Sequence, residues 1–170
     1  QDERLSVRSY LSTVFGCPYE GHVSIEGTVE LASRLLEMGA DEIALGDTTG
    51  MANPNLVYSV VRALEDSGIP LSSISLHMHD TRGTALANIL TGYQAGIRSF
   101  DGSTGGVGGC PYAPGASGNA ASEDIVNLFE SMGIQTNVSL DGAVKAAQEL
   151  ETVLGRPLPG KYYRYHKSAQ

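Results

Sequence analysis

The chain has 170 residues, 41% hydrophobic and 18% charged, with only 2 Cys, which excludes an intrinsically disordered chain and a disulfide scaffold. Its 19 acidic and 11 basic residues leave a formal charge of −8. That balance argues against nucleic acid or an anionic membrane as partner, and no apolar run reaches the ~18 residues of a membrane span.

The predicted elements alternate in type. Val7–Phe15 reads as a strand, rich in Val, Tyr, Leu and Thr. A helix follows over Ile25–Met38, with Ser24 as N-cap and Gly39 as its stop. Glu42–Gly46 is the second strand. The Asn53–Pro54 pair opens a second helix that ends at Gly68. Ile74–Met78 is the third strand, followed by a helix over Ala85–Ala95 and Gly96. Ile97–Asp101 is the fourth strand, and a long Gly-rich loop follows it. The last helices are predicted over Ala120–Met132, closed by Gly133, and over Asp141–Leu154. The tail Lys161–Gln170 is basic and Tyr-rich. It reads as a terminus without fixed structure, with docking on a partner as the alternative.

Strands alternating with helices imply βαβ units and a right-handed parallel sheet. A complete (β/α)8 barrel needs about 250 residues, so two architectures fit. One is an open sheet of four strands flanked by helices. The other is half of a barrel.

The 21 glycines exceed the usual share of about 7% and fall into two groups. Gly39, Gly68, Gly96 and Gly133 sit at helix ends, an ordinary use. Gly102, Gly105, Gly106, Gly108, Gly109, Gly115 and Gly118 crowd into one loop, which capping does not require. The loop holds Cys110, between Gly109 and Pro111. A Cys on a flexible loop is accessible as an acid or nucleophile, and the glycines suit a loop that closes over substrate. No phosphate-binding GxxxxGK[ST] is present.

His77-Met78-His79-Asp80 ends the third strand. Residues i and i+2 of a strand share a face, so both imidazoles project together at the carboxyl end, where α/β folds place ligands. The pair suits one metal ion, or two separately hydrogen-bonded histidines. Asn119 can open the next helix as its N-cap or donate an amide oxygen to a hard cation. Glu123 and Asp124 lie one turn further on, favourable at a helix N-terminus. Asp47, in Gly46–Gly50, ends the second strand. It reads as a residue of the same rim or as a turn Asp bonded to its own backbone. Cys17 also follows a strand, and spacing does not say which Cys is reactive. His22 and His166 stand alone.

These blocks resemble a family. Gly108–Asn119 (GGCPYAPGASGN) with Ser122-Glu123-Asp124 is similar to the signature loop of the 3-hydroxy-3-methylglutaryl-CoA (HMG-CoA) lyases. GCPYEG, LGDTTG and HMHDTRG, at Gly16–Gly21, Leu45–Gly50 and His77–Gly83, resemble that family's other blocks in order. The HxHD block alone is shared with a wider superfamily of metal-dependent aldolases and Claisen-type enzymes.

The resemblance implies a TIM (β/α)8 barrel, with residues 1–155 supplying about strands five to eight and their helices, and 156–170 a C-terminal tail. It implies cleavage of HMG-CoA to acetyl-CoA and acetoacetate, a step of leucine degradation and ketone-body formation. His77, His79 and Asn119 match ligands of Mg2+ or Mn2+. Cys110 and Asp47 match catalytic residues. Gly108 and Gly109 match the substrate loop, and Glu123 and Asp124 match acidic residues behind the site. An Arg-Asp pair that the family carries on its first strand has no counterpart here. The implied partners are an acyl-CoA substrate and either a second copy in a dimer or an N-terminal half of the barrel. The implied compartment is the cytoplasm or the mitochondrial matrix. The alternatives are another aldolase or Claisen-type acyl-CoA enzyme, and an inactive half-barrel.

Overall fold

The computed structural model describes residues 5–109 and 118–169. Four parallel strands lie in the order of the sequence: β1 (Arg8–Leu11), β2 (Glu42–Asp47), β3 (Ile74–Met78) and β4 (Ser99–Asp101). Helices α1 (Ile25–Glu37), α2 (Pro54–Asp66), α3 (Ala85–Gln94) and α4 (Ser122–Ser131) follow the four strands in turn, and α5 (Leu140–Leu154) and α6 (Lys161–Ser168) close the chain.

Local chemistry explains the helix starts. The Ser24 and Ser139 hydroxyls and the Asn53 amide oxygen each accept the N–H three residues on, satisfying donors the helix leaves orphaned. The predicted helix stops Gly39, Gly68, Gly96 and Gly133 all adopt positive φ.

The two faces of the sheet differ in kind. Ile43, Leu45, Ile74, Leu76 and Met78 alternate onto one face and are fully buried with Val57, Val60, Val61 and Leu64 of α2 and Ile89 of α3. The opposite face carries Arg8, Tyr10, Glu42, Ser75, His77, Ser99 and Asp101, by the parity of the register. The sheet curls enough for Arg8, on one outer strand, to reach Asp101 on the other at 3.3 Å. That curl is the geometry of half a barrel.

Three predicted elements change. The first strand stops at Leu11 instead of Phe15. Thr13 has φ 60°, and its N–H turns to the Thr48 hydroxyl at 3.0 Å, so Val14 and Phe15 enter the core from a loop. The fourth helix starts at Ser122, with Ala121 as N-cap. Asn119 is therefore not a cap, because residues 118–121 are taken up by the strand ends. Asp80 N–H donates to Gly118 O, Ala120 N–H to Met78 O and Ser103 N–H to Ala120 O, at 2.9 to 3.1 Å.

The tail is not a free terminus. Its helix α6 packs through Tyr163, with Leu158 just before it, against Val144 and Ala147 of α5. Asp124 accepts the N–H groups of Lys161 at 3.0 Å and Tyr162 at 2.6 Å, capping that helix from α4.

Candidate active site

The carboxyl ends of β1, β2 and β3 and the start of the Gly-rich loop enclose a cleft of about 580 Å³, a size suited to a small ligand. Ser12, Thr13, Cys17, Tyr19, Thr48, Thr49, His77, His79, Gly108, Gly109 and Asn119 line it. The structure thus gathers His77, His79, Asn119, Gly108 and Gly109, all singled out from sequence, at one place. Cys17 joins them with a free, half-buried thiol. Cys110 lies outside the described residues.

Strand parity brings the two imidazoles together. His77 Nε2 and His79 Nε2 stand 3.2 Å apart. Burial, then the neighbouring His77, lower the pKa of His79, keeping it neutral and available as a donor. His79 and Asn119 face each other in an isolated antiparallel bridge. The Asn119 amide donates to Val107 O at 2.9 Å, which orients its oxygen. That oxygen, Asn119 Oδ1, is buried without a partner, as is His79 Nδ1. Unpaired buried polar atoms are costly; here they belong to two residues that line the same cleft as His77. Two imidazoles and an amide oxygen fit a divalent cation of intermediate hardness. Among the described residues no group of three or more His, Cys, Asp or Glu forms a metal cluster; the third donor of the fit is the Asn119 amide oxygen.

Gly118 sets Asn119 in place. Its φ is 118°, and a Cβ there would meet the carbonyl oxygens of Gly106 at 2.3 Å and Gly108 at 2.5 Å. Only glycine permits this approach of two backbone segments.

Other predicted residues are placed elsewhere. Asp47 shares the parity of Ile43 and Leu45, so it leaves the sheet on the side opposite His77 and does not line the cleft. Its Oδ1 accepts the N–H groups of Met51 at 2.8 Å and Ala52 at 3.0 Å, the turn-Asp arrangement. Its Oδ2 is buried without a partner, and burial pushes its pKa up to about 6. Glu123 is fully buried behind the loop, where Oε2 accepts the Gly105 N–H at 3.1 Å. Burial pushes its pKa up as well. Asp124 caps α6.

Asp101 was not singled out from sequence. Its carboxylate meets His77 Nδ1 at 2.5 Å and accepts the Tyr10 hydroxyl at 2.9 Å. Burial raises its pKa, but the His77 and Tyr10 contacts and the Arg8 charge outweigh that and hold it below the usual carboxylate range. The available signal was its position at the end of the predicted fourth strand, on the site rim. Arg82, also missed, donates to Thr49 O at 2.9 Å and Gly50 O at 2.8 Å. It thereby fixes the loop after β2 against the loop after β3.

The curled parallel sheet, its helices and a cleft at the carboxyl strand ends define an α/β half-barrel of the TIM-barrel class. A family model described as HMGL-like matches residues 5–150, and the chain belongs to that family. It is 54% identical over 99% of its length to the hydroxymethylglutaryl-CoA lyase of Bacillus subtilis, covering 56% of that protein. It is 47% identical to the (R)-citramalyl-CoA lyase of Chloroflexus aurantiacus, over 88% of this chain and 47% of that one. The chain thus spans about half the length of these relatives. A crystal structure of the Bacillus subtilis HMG-CoA lyase superposes with a TM-score of 0.92 at 55% identity, covering 96% of this chain and 54% of that one. An HMG-CoA lyase from Acinetobacter baumannii, in complex with coenzyme A and 3-methylmalate, superposes with a TM-score of 0.87 at 42% identity, over 92% and 51% of the two chains.

Proposed function

We propose that this chain carries the metal-binding and proton-donating part of an enzyme that cleaves HMG-CoA to acetyl-CoA and acetoacetate. The observation that carries the reading is a cleft in which His77 Nε2 and His79 Nε2 stand 3.2 Å apart and which Asn119, its Oδ1 unpartnered, also lines, in a member of this family. Those three side chains would hold Mg2+ or Mn2+. When bound, the ion supplies Lewis-acid polarisation of the substrate's hydroxyl and carboxylate oxygens.

In the cleavage the hydroxyl gives up its proton to a base. The bond between the carbinol carbon and the thioester α-carbon breaks, with its electron pair passing to the α-carbon. That carbon then takes a proton, so the reaction consumes no water. Cys110 is the proposed acid. It follows in sequence Gly108 and Gly109, which border the cleft. Closure of that loop would keep water from the enolate. Asp47 acts on the opposite side of β2 by holding the Met51–Ala52 turn.

The open edges of β1 and β4 are association surfaces. We propose that they pair with the other half of a barrel, or with a second copy in a dimer. No helix among the described residues is long and apolar enough to cross a membrane; the compartment proposed, from the family resemblance alone, is the cytoplasm or the mitochondrial matrix.

The citramalyl-CoA lyase relative supports a second reading, in which a different 3-hydroxyacyl-CoA is cleaved by the same carbon–carbon chemistry. Parallel assays of HMG-CoA and citramalyl-CoA, with the full chain joined to the strands that complete its barrel, decide between them. A higher kcat/KM for HMG-CoA is expected. Cleavage of citramalyl-CoA alone would overturn the primary reading.

A further inference from the structure

His77 is held from behind by a polar chain that draws on all four strands. Gly46, His77 and Asp101 form one row of the ladder across β2, β3 and β4. Adjacent side chains in such a row touch, so the register itself places the Asp101 carboxylate against His77 Nδ1, at 2.5 Å. Gly46 leaves the other flank of His77 without a side chain. The second carboxylate oxygen, Asp101 Oδ2, accepts the Tyr10 hydroxyl at 2.9 Å and Arg8 at 3.3 Å. Arg8 is itself fixed by both oxygens of Glu42, at 3.0 and 2.9 Å. Glu42 also accepts the Ser99 hydroxyl at 2.8 Å. The Tyr10 ring stands edge-on to the His77 ring, centroids 5.7 Å apart at 85°.

We infer that Asp101 is a positioning residue. It keeps the His77 proton on Nδ1, so that the lone pair of Nε2 faces the cleft, while Tyr10 and the Arg8–Glu42 pair hold the carboxylate for that task.

The chemistry is general. A neutral imidazole carries one proton, and an unconstrained ring favours Nε2. With the proton there, the nitrogen facing His79 and Asn119 would be a donor and could not bind a cation. A carboxylate behind Nδ1 reverses the preference, because it accepts a hydrogen bond from Nδ1–H. Because both oxygens of Asp101 are engaged, its carboxylate cannot rotate away without breaking contacts to β1.

The consequence for metal binding rests on the reading of His77 as a ligand; the tautomer does not, and the test separates the two. The full chain, labelled with 15N-histidine and free of metal, is examined by long-range 15N–1H correlation. Wild-type His77 is expected in the Nδ1–H form and Asp101→Ala in the Nε2–H form. Wild-type His77 in the Nε2–H form, or an Asp101→Ala variant that stays in the Nδ1–H form, would overturn the inference.

Mn2+ binding is then followed through the electron paramagnetic resonance signal of the free ion. Asp101→Ala and the near-isosteric Asp101→Asn are expected to bind Mn2+ about 10- to 100-fold more weakly. Asp101→Asn keeps the measurement decisive should the alanine variant not fold. Undiminished affinity in a folded variant would overturn the positioning role. His79→Ala tests the metal reading itself: if wild type binds Mn2+ no better than His79→Ala, that reading falls while the tautomer result stands.

Discussion

Asp47 yields a prediction with a definite sign. Its carboxyl is 1% exposed and titrates at about 6 instead of 3.8, chiefly through burial. Between those pH values the folded state holds the proton while the unfolded state has lost it. Stability from this group is therefore full below about pH 4 and declines as pH rises through about 6. The shift is about 2 units, each worth about 1.4 kcal/mol, so ionised Asp47 costs about 3 kcal/mol at neutral pH. The Asp47→Asn substitution removes that titration. Its Oδ1 can still accept from Met51 and Ala52, while its new NH2 occupies the partnerless Oδ2 position. An unsatisfied donor there costs about 1–3 kcal/mol at every pH. The difference between the two proteins then isolates the slope. Urea unfolding from pH 4 to pH 7.5 should show Asp47→Asn gaining about 3 kcal/mol relative to wild type across the range. A difference that stays flat, or moves the other way, would refute the claim that burial dominates this carboxyl.

Other consequences follow from single positions. Gly118→Ala forces a Cβ to within 2.5 Å of two backbone oxygens at φ 118°. It should cost about 2 kcal/mol or more, lower the thermal midpoint by about 4–8 °C and weaken Mn2+ binding with it; an unshifted midpoint contradicts the crowding. Leu158→Ala empties a site 1% exposed against Val144, Ala147 and Tyr163. A loss of about 2–5 kcal/mol is expected, with faster hydrogen exchange over α6, and unchanged exchange there would show that α6 is held by other contacts. Asn119→Ala removes the unpartnered amide oxygen, so Mn2+ affinity measured by calorimetry should fall at least about tenfold. Retained affinity would remove Asn119 from the ligand set.

Much of this was legible in the sequence because it depends on short-range rules. The period-2 spacing of His77 and His79 fixes a common face whatever the rest of the chain does. The Ser24 and Asn53 caps and the glycine helix stops are written in consecutive residues. Asn119 was readable as a ligand candidate, but its local meaning as a cap gave way to backbone pairing with β3 and β4, a contact far away in sequence. Asp47 shows the limit of reading the end of a strand as one rim: adjacent residues point to opposite faces, so Gly46 shares the face of His77 and Asp47 does not. Asp101 went unnoticed for a related reason. Its role depends on the register between β3 and β4, which no single segment encodes. The tail failed on composition, since a basic, Tyr-rich stretch conceals the Leu158 and Tyr163 anchors and the cap supplied by Asp124.

The most direct test follows acetyl-CoA release from HMG-CoA by the full chain, joined to whatever strands complete its barrel, before chelation, after chelation and after Mg2+ is restored. Release that stops on chelation, returns with Mg2+ and is abolished by His79→Ala is the predicted result. Release that persists after chelation, or in His79→Ala, would contradict the account.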